Sequence, residues 1–194
     1  HKEYRRQRQM CIRDRILATG PGVAAHRSAL EAYIQRSRPL VIALNTQSAI
    51  DSDLIHLRIA CHPVRLLADA ELHATLPQPL ITPATMLPKS VLSALGDKIL
   101  LDFGISIEAG KFGFYDNYCV VPKAIVVAYA LAVATSGQAA RILMAGFDGY
   151  DPGDPRTNEL NQVYELFSNT SESPCCISVT PTRFKLESVS IYAL

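Results

Sequence analysis

Short apolar runs alternate with helical patterns along most of the chain, the arrangement that βαβ units produce. Residues 16–19 run Ile-Leu-Ala-Thr and stop at Gly20-Pro21-Gly22. Beyond that turn Ala25, Ala29, Leu30, Ala32, Tyr33 and Ile34 recur at helical spacing, with His26, Arg27, Glu31 and Gln35 on the opposite side. Pro39 breaks the chain, and residues 40–44 form a continuous apolar strand that stops at Asn45. Residues 54–60 predict a third strand, ending at Cys61-His62-Pro63, where Pro63 suits the first turn of a helix over 64–74. Pro77, Pro79, Pro83 and Pro88 bracket a short strand at Leu80-Ile81 and, after it, a helix over 89–95. Residues 98–103 predict another strand, and 105–121, with two glycines and four aromatics but no firm period, predict a loop or lid. Pro122 then predicts the start of a strongly apolar helix over 123–136, closed by Gly137. A central strand at 141–145 ends in Gly146-Phe147-Asp148-Gly149-Tyr150. Asp154 and Pro155 supply the N-cap and first residue of a helix to about residue 167. The last predicted strand, 176–179, ends at Thr180-Pro181-Thr182. The expected class is α/β, one domain over 16–194, with a mostly parallel sheet and helices on both faces.

Composition changes this picture little. At 194 residues, 48% hydrophobic and 19% charged, the chain can bury a core and is not a disordered polymer. No apolar run approaches the roughly 20 residues that cross a bilayer, so a cytoplasmic protein without a membrane span is expected. Residues 1–15 are read differently: Met10-Cys11-Ile12-Arg13-Asp14-Arg15 resembles the conceptual translation of a sequencing adapter, a non-native leader on a metagenomic fragment. The alternative is a basic arm for nucleic acid or membrane. Setting aside its six basic and two acidic residues leaves thirteen of 19 and sixteen of 18, a net −3 where the whole chain has +1. That remainder gives no reason to expect nucleic acid as a partner. Cys61, Cys119, Cys175 and Cys176 show no C-x-x-C spacing and are expected to be buried free thiols in a reducing compartment.

Five predicted strands end in small, polar or ionisable residues: Gly20-Pro21-Gly22, Asn45-Thr46, His62, Gly146-Phe147-Asp148 and Thr180-Pro181-Thr182. In an open parallel sheet these ends share one edge, where ligands bind. The glycine turn lets a backbone approach closely, and the helix after it aims free N–H groups at an anion. It matches neither G-x-G-x-x-G nor a P-loop, so a plain tight turn is the alternative. His62 and Arg65 can share a helix face, with His62 as base and Arg65 as anion binder, or as a cap and a surface arginine. Asp148 is the candidate for a ribose, a sugar or magnesium, and Arg156 for balancing charge. Thr180 and Thr182 offer hydroxyls around a rigid proline, for ligand or for the turn itself. Asp148, Asp151 and Asp154 do not have calcium-loop spacing, and no metal site is expected. The catalytic candidates are therefore His62 and Asp148. The ligand-binding candidates are Gly20, Pro21, Gly22, Asn45, Thr46, Arg65, Gly146, Arg156, Thr180 and Thr182.

These segments together (16–26, 41–46, 60–67, 145–150 with Asp154 and Arg156, 180–182 and 190–192) resemble a sialyltransferase-like, 6-hydroxymethylpterin diphosphokinase-like domain. More narrowly, they resemble the version that follows HMG-CoA-lyase-like aldolase domains in surface-polysaccharide gene clusters. The resemblance implies a Rossmann-like fold and a nucleotide or nucleotide-sugar held by the first glycine turn. It implies a glycosyltransferase-like function in polysaccharide biosynthesis, with an aldolase domain linked upstream; whether a homo-oligomer is a further partner stays open. Two other readings stay open: a magnesium-dependent pyrophosphokinase, and a non-catalytic ligand-binding or assembly module. In related sialyltransferases the turn is usually G-P-S; here Gly22 stands in place of the serine.

Overall fold

The computed structural model describes residues 15–47 and 49–194, and for residues 15–18 the backbone alone. The leader reading falls on residues outside these, except for Arg15, which opens the first strand. In chain order the elements are β1 (Arg15–Ala18), α1 (Gly22–Ala25), α2 (Arg27–Ser37), β2 (Leu40–Leu44), β3 (Leu57–Ile59), α3 (Pro63–Ala68), α4 (Ala70–Thr75) and β4 (Leu80–Thr82). They continue with α5 (Lys89–Leu95), β5 (Leu100–Asp102), β6 (Gly104–Ile107), β7 (Gly113–Phe114), β8 (Tyr118–Val121) and α6 (Val126–Ser136). The last are β9 (Arg141–Ala145), α7 (Pro155–Ser168), β10 (Cys175–Ser178) and β11 (Glu187–Ser188).

Eight strands form one sheet in the order β11-β10-β9-β1-β2-β3-β4-β5, and every pairing in it is parallel. From β1 the chain steps outward to β5, then returns to lay β9 on the other side of β1. The crossovers diverge at the carboxyl ends of β1 and β9, which is where open α/β sheets leave a crevice. Alternate residues of each strand face opposite layers. Ile42, Leu44, Ile59, Ile81, Ile142 and Met144 pack under α6 and α7. Val41, Ala43, Leu143 and Ala145 pack under α1 and α2, and Ala60 and Leu80 under α3 to α5.

Several elements differ from the sequence pattern. Residues 105–121 are not a loop: β6 pairs parallel and β7 antiparallel with β8, making a second, three-stranded sheet. Its strands are two to four residues long, too short for an alternation to register. This small sheet packs on α6, whose residues 127–132 are all buried, so a helix apolar on nearly every side is explained by sheets on two sides. That helix starts at Val126, three residues later than Pro122 and its neighbours predict. The helix expected over 64–74 is broken at Asp69 into α3 and α4, and the first helix is broken at His26 into α1 and α2. The third strand is shorter than 54–60, because Ser52–Leu54 coil into a 3-10 turn. Cys61 and Cys119 are buried as expected, but Cys175 is exposed on the short β10 near the edge of the sheet.

Among the described residues, the crossover from β2 to β3 carries no α-helix, only that 3-10 turn. Arg58, fully buried in the middle of β3, occupies the space instead. Its Nε donates to Gln78 Oε1 at 2.8 Å, and its Nη1 donates to the carbonyls of Gln47 at 2.7 Å and Asn45 at 3.3 Å. Gln78 in turn donates to Ser52. Buried backbone carbonyls need donors, and one guanidinium supplies them for a stretch that no helix satisfies.

The turns after β1 and β9 lie back to back. Thr19 N donates to Ala145 O at 3.0 Å, and a Cβ on Gly146 would stand 1.6 Å from Thr19 O and 2.6 Å from Val23 Cγ2. Gly146 also has φ +74. We expect Gly146→Ala to lower stability by about 3 kcal/mol or more, from strain and clash together. Gly153→Ala, at φ +88 but with nothing within 4 Å of its Cβ, should cost only about 1 kcal/mol. Urea midpoints of the two variants check this difference.

His73 on α4 is buried, and its Nδ1 has no hydrogen-bond partner among the described residues. Burial, then the charge of Lys98, pushes its pKa down to about 4 from about 6.5 in the unfolded chain. The folded state then resists the proton that the unfolded state accepts. Stability falls as pH drops from about 6.5 to about 4, and no further loss from this group occurs below that. The full effect is at most about 3.5 kcal/mol at roughly 1.4 kcal/mol per unit. Urea midpoints between pH 7 and 4 should show this slope in the native chain and a flatter one in His73→Leu.

Candidate functional site

A cleft of about 350 Å³ opens where β1 and β9 part. Thr19, Gly20 and Pro21 form one side and Gly146 to Tyr150 the other; Leu44 and Asn45 follow from the end of β2. Arg65 reaches the rim from α3, and Val126 and Val127 enter from the first turn of α6. Phe147, Tyr150, Leu160 and Phe184 make one end of the cleft apolar.

The glycine turn is set by contact with its neighbour. Gly20 has φ +68, and a Cβ there would lie 2.1 Å from Gly146 O. Its carbonyl accepts from Gln47 Nε2 at 2.9 Å. Gly22 N does donate to an anion, but the anion belongs to the chain: Asp148 Oδ2 receives it at 2.8 Å. A Cβ on Gly22 would fall 2.0 Å from Asp148 Oδ1. The glycine at this position is thus what allows the carboxylate to reach the amide. The seat assigned to a ligand phosphate and the group assigned to the sugar are in contact with each other.

The remaining candidates divide by geometry. Asn45 lines the cleft with φ +53, its carbonyl held by Arg58. Thr46 follows it and does not line the cleft. Arg65 is exposed and 3.7 Å from Asp69, a loose ion pair that leaves the guanidinium available at the rim. His62 is exposed at the N-cap of α3, where its side chain makes no cap bond, and it is not among the cleft-lining residues. Arg65 therefore reaches the cleft and His62 does not. Arg156 also stands off the cleft: it binds Asp154 at 2.6 Å and lies 4.1 Å from the centre of the Tyr150 ring, bracing a residue that does line it. Thr180 is buried, and its Oγ1 accepts from Gly146 N at 2.8 Å. Thr182 Oγ1 donates to Phe147 O at 2.6 Å and accepts from Phe184 N at 3.1 Å. Both threonines hold the β9 turn in shape from behind.

Sequence reasoning missed the apolar end, Tyr150, Leu160 and Phe184, because nothing distinguishes such residues from core until the topology is known. It also missed Gln47, whose only signal was its place just after a strand end. No three His, Cys, Asp or Glu side chains come together as a metal ion requires among the described residues. A magnesium ion would find one carboxylate here, Asp148, and would depend on ligand phosphates for the rest of its shell. No helix among the described residues is long and apolar enough to cross a membrane.

The contact between Gly22 and Asp148 has a measurable signature. Gly22→Ser forces the Asp148 carboxylate out of its place, and should cost about 1–3 kcal/mol. Asp148→Ala should remove most of that penalty, giving a coupling of roughly 1 kcal/mol or more in a double-mutant cycle. Additive effects in urea denaturation would show that the two residues do not meet.

Comparison of the chain with protein-family models, with curated proteins and with solved structures finds no match.

Proposed function

We propose that the domain binds a nucleotide or nucleotide-sugar in this cleft and acts as a glycosyltransferase-like domain on a Rossmann-like sheet. The observation that carries the reading is the place of the cleft, at the carboxyl ends of β1 and β9 where the strand order reverses. Its lining suits a ligand with two different ends. Tyr150, Leu160 and Phe184 offer apolar and aromatic surface for a planar base. Arg65, with the open first turn of α6, offers positive potential to a phosphate. Asp148 lines the same cleft as an acceptor for a sugar hydroxyl, its orientation fixed by Gly22 N–H. A phosphate placed against Gly22 would first have to displace that carboxylate, so the rim at Arg65 is the favoured phosphate seat. In this arrangement Asp148 is the candidate catalytic residue, and His62 takes part only if a ligand extends beyond the cleft.

Thermal shift of the full chain against a nucleotide panel tests the reading. A cytidine nucleotide at a hundredfold its Kd should stabilise by about 2.7 kcal/mol, roughly 5–10 °C for a chain of this size. Arg65→Ala should weaken that binding about tenfold while leaving the unliganded Tm unchanged. Consumption of a nucleoside triphosphate with magnesium would favour the pyrophosphokinase reading instead. No shift with any nucleotide would leave an assembly or ligand-binding module of another kind.

A further inference from the structure

The glycine turn that walls the cleft is held by a group far from it in sequence. Gln47 is half-buried, and both ends of its amide are committed. Oε1 accepts from Ala49 N at 2.7 Å and Nε2 donates to Gly20 O at 2.9 Å. A backbone N–H on one side and a backbone carbonyl on the other leave only one orientation of the amide that satisfies both. The main chain of Gln47 is fixed in turn, since its carbonyl takes the 2.7 Å bond from Arg58 Nη1. That same nitrogen reaches Asn45 O, so one guanidinium holds a wall residue of the cleft and the residue that grips the turn. The guanidinium cannot swing, because Nε is bound to Gln78 and Gln78 to Ser52.

We infer that Arg58 and Gln47 are positioning residues for the cleft, transmitting the rigidity of the buried β2–β3 crossover to the peptide of Gly20 and so to the direction of the Gly22 amide. Gly20 sits at φ +68, in a region that glycine enters and leaves at little cost. The clash with Gly146 limits where that residue can go but does not orient its carbonyl; Gln47 Nε2 does. Lysine would not replace Arg58, since a point ammonium cannot span Gln78 on one side and two carbonyls on the other. The link to binding rests on the cleft being the ligand site; the link to the turn does not.

Hydrogen–deuterium exchange of the full chain, read at the peptide containing Gly20 to Val23, tests the relay without any ligand. Gln47→Leu should speed exchange there about tenfold, with Tm within about 2 °C of the native chain and exchange in β9 unchanged. Gln47→Glu should do the same at pH 7, where a carboxylate faces the Gly20 carbonyl. It should regain protection near pH 4, where the protonated carboxyl donates again, each ratio being taken against the native chain at the same pH. A merely space-filling role for Gln47 would show no such pH recovery. Arg58→Lys should loosen the turn similarly and lower Tm as well. If exchange at the turn is unchanged in Gln47→Leu, the relay is wrong. In parallel, the Kd of a cytidine nucleotide should rise about tenfold in Gln47→Leu. Absence of nucleotide binding by the native chain would sink the functional reading while the exchange result still decides the relay.

Discussion

The architecture depends on a main-chain approach that only glycine permits. The strands β1 and β9 are neighbours, and the turns that leave them must pass each other with no side chain between. A methyl group on Gly146 would overlap the carbonyl oxygen of Thr19, and one on Gly20 would overlap that of Gly146. Two glycines, each at positive φ, therefore interlock at the point where the two halves of the sheet meet. The cleft walls are measured from this contact: Thr19 and Pro21 on one side, Phe147 and Asp148 on the other. A parallel sheet brings strand ends to one edge, but it does not dictate how close the loops come.

Most of the layered architecture could be read from the chain because buried parallel strands announce themselves. Residues 40–44 and 142–145 are unbroken apolar runs ended by Asn45 and Gly146, and both lie in central strands. The cap at Asp154 was equally plain: its carboxylate accepts from Arg156 N as a helix start requires. What stayed hidden lies below the length at which periodicity exists. β6 to β8 span two to four residues each and have meaning only as a set, when α6 is there to be covered. The two-residue β11 is of the same kind.

The site was legible as an edge and not as a set of roles. Strand-end logic led to Gly20, Pro21, Asn45, Gly146 and Asp148, all of which line one cleft. It could not show that Thr180 and Thr182 face the β9 turn from behind, because a hydroxyl at a strand end serves backbone and ligand with equal chemistry. Nor could it show that Gly22 and Asp148, 126 residues apart, neutralise one another's free valences. Arg58 is the clearest omission. A basic residue between Leu57 and Ile59 reads as an outward-facing strand position, yet it is fully buried because a crossover without a helix leaves carbonyls that need donors.

The clamp behind the β9 turn also bears on how the protein is made. Thr180 secures Gly146, Thr182 secures Phe147, and Arg183 N donates to Asp148 O. A chain emerging from the ribosome delivers β1, β2 and β9 well before these three residues. Until they arrive the sheet can assemble and the two turns can meet, but the β9 turn lacks the three bonds that hold it from the other side. The cleft would then take its final shape among the last steps of synthesis, and a nascent chain stalled short of Thr180 would be folded over much of its length with that wall still unsecured.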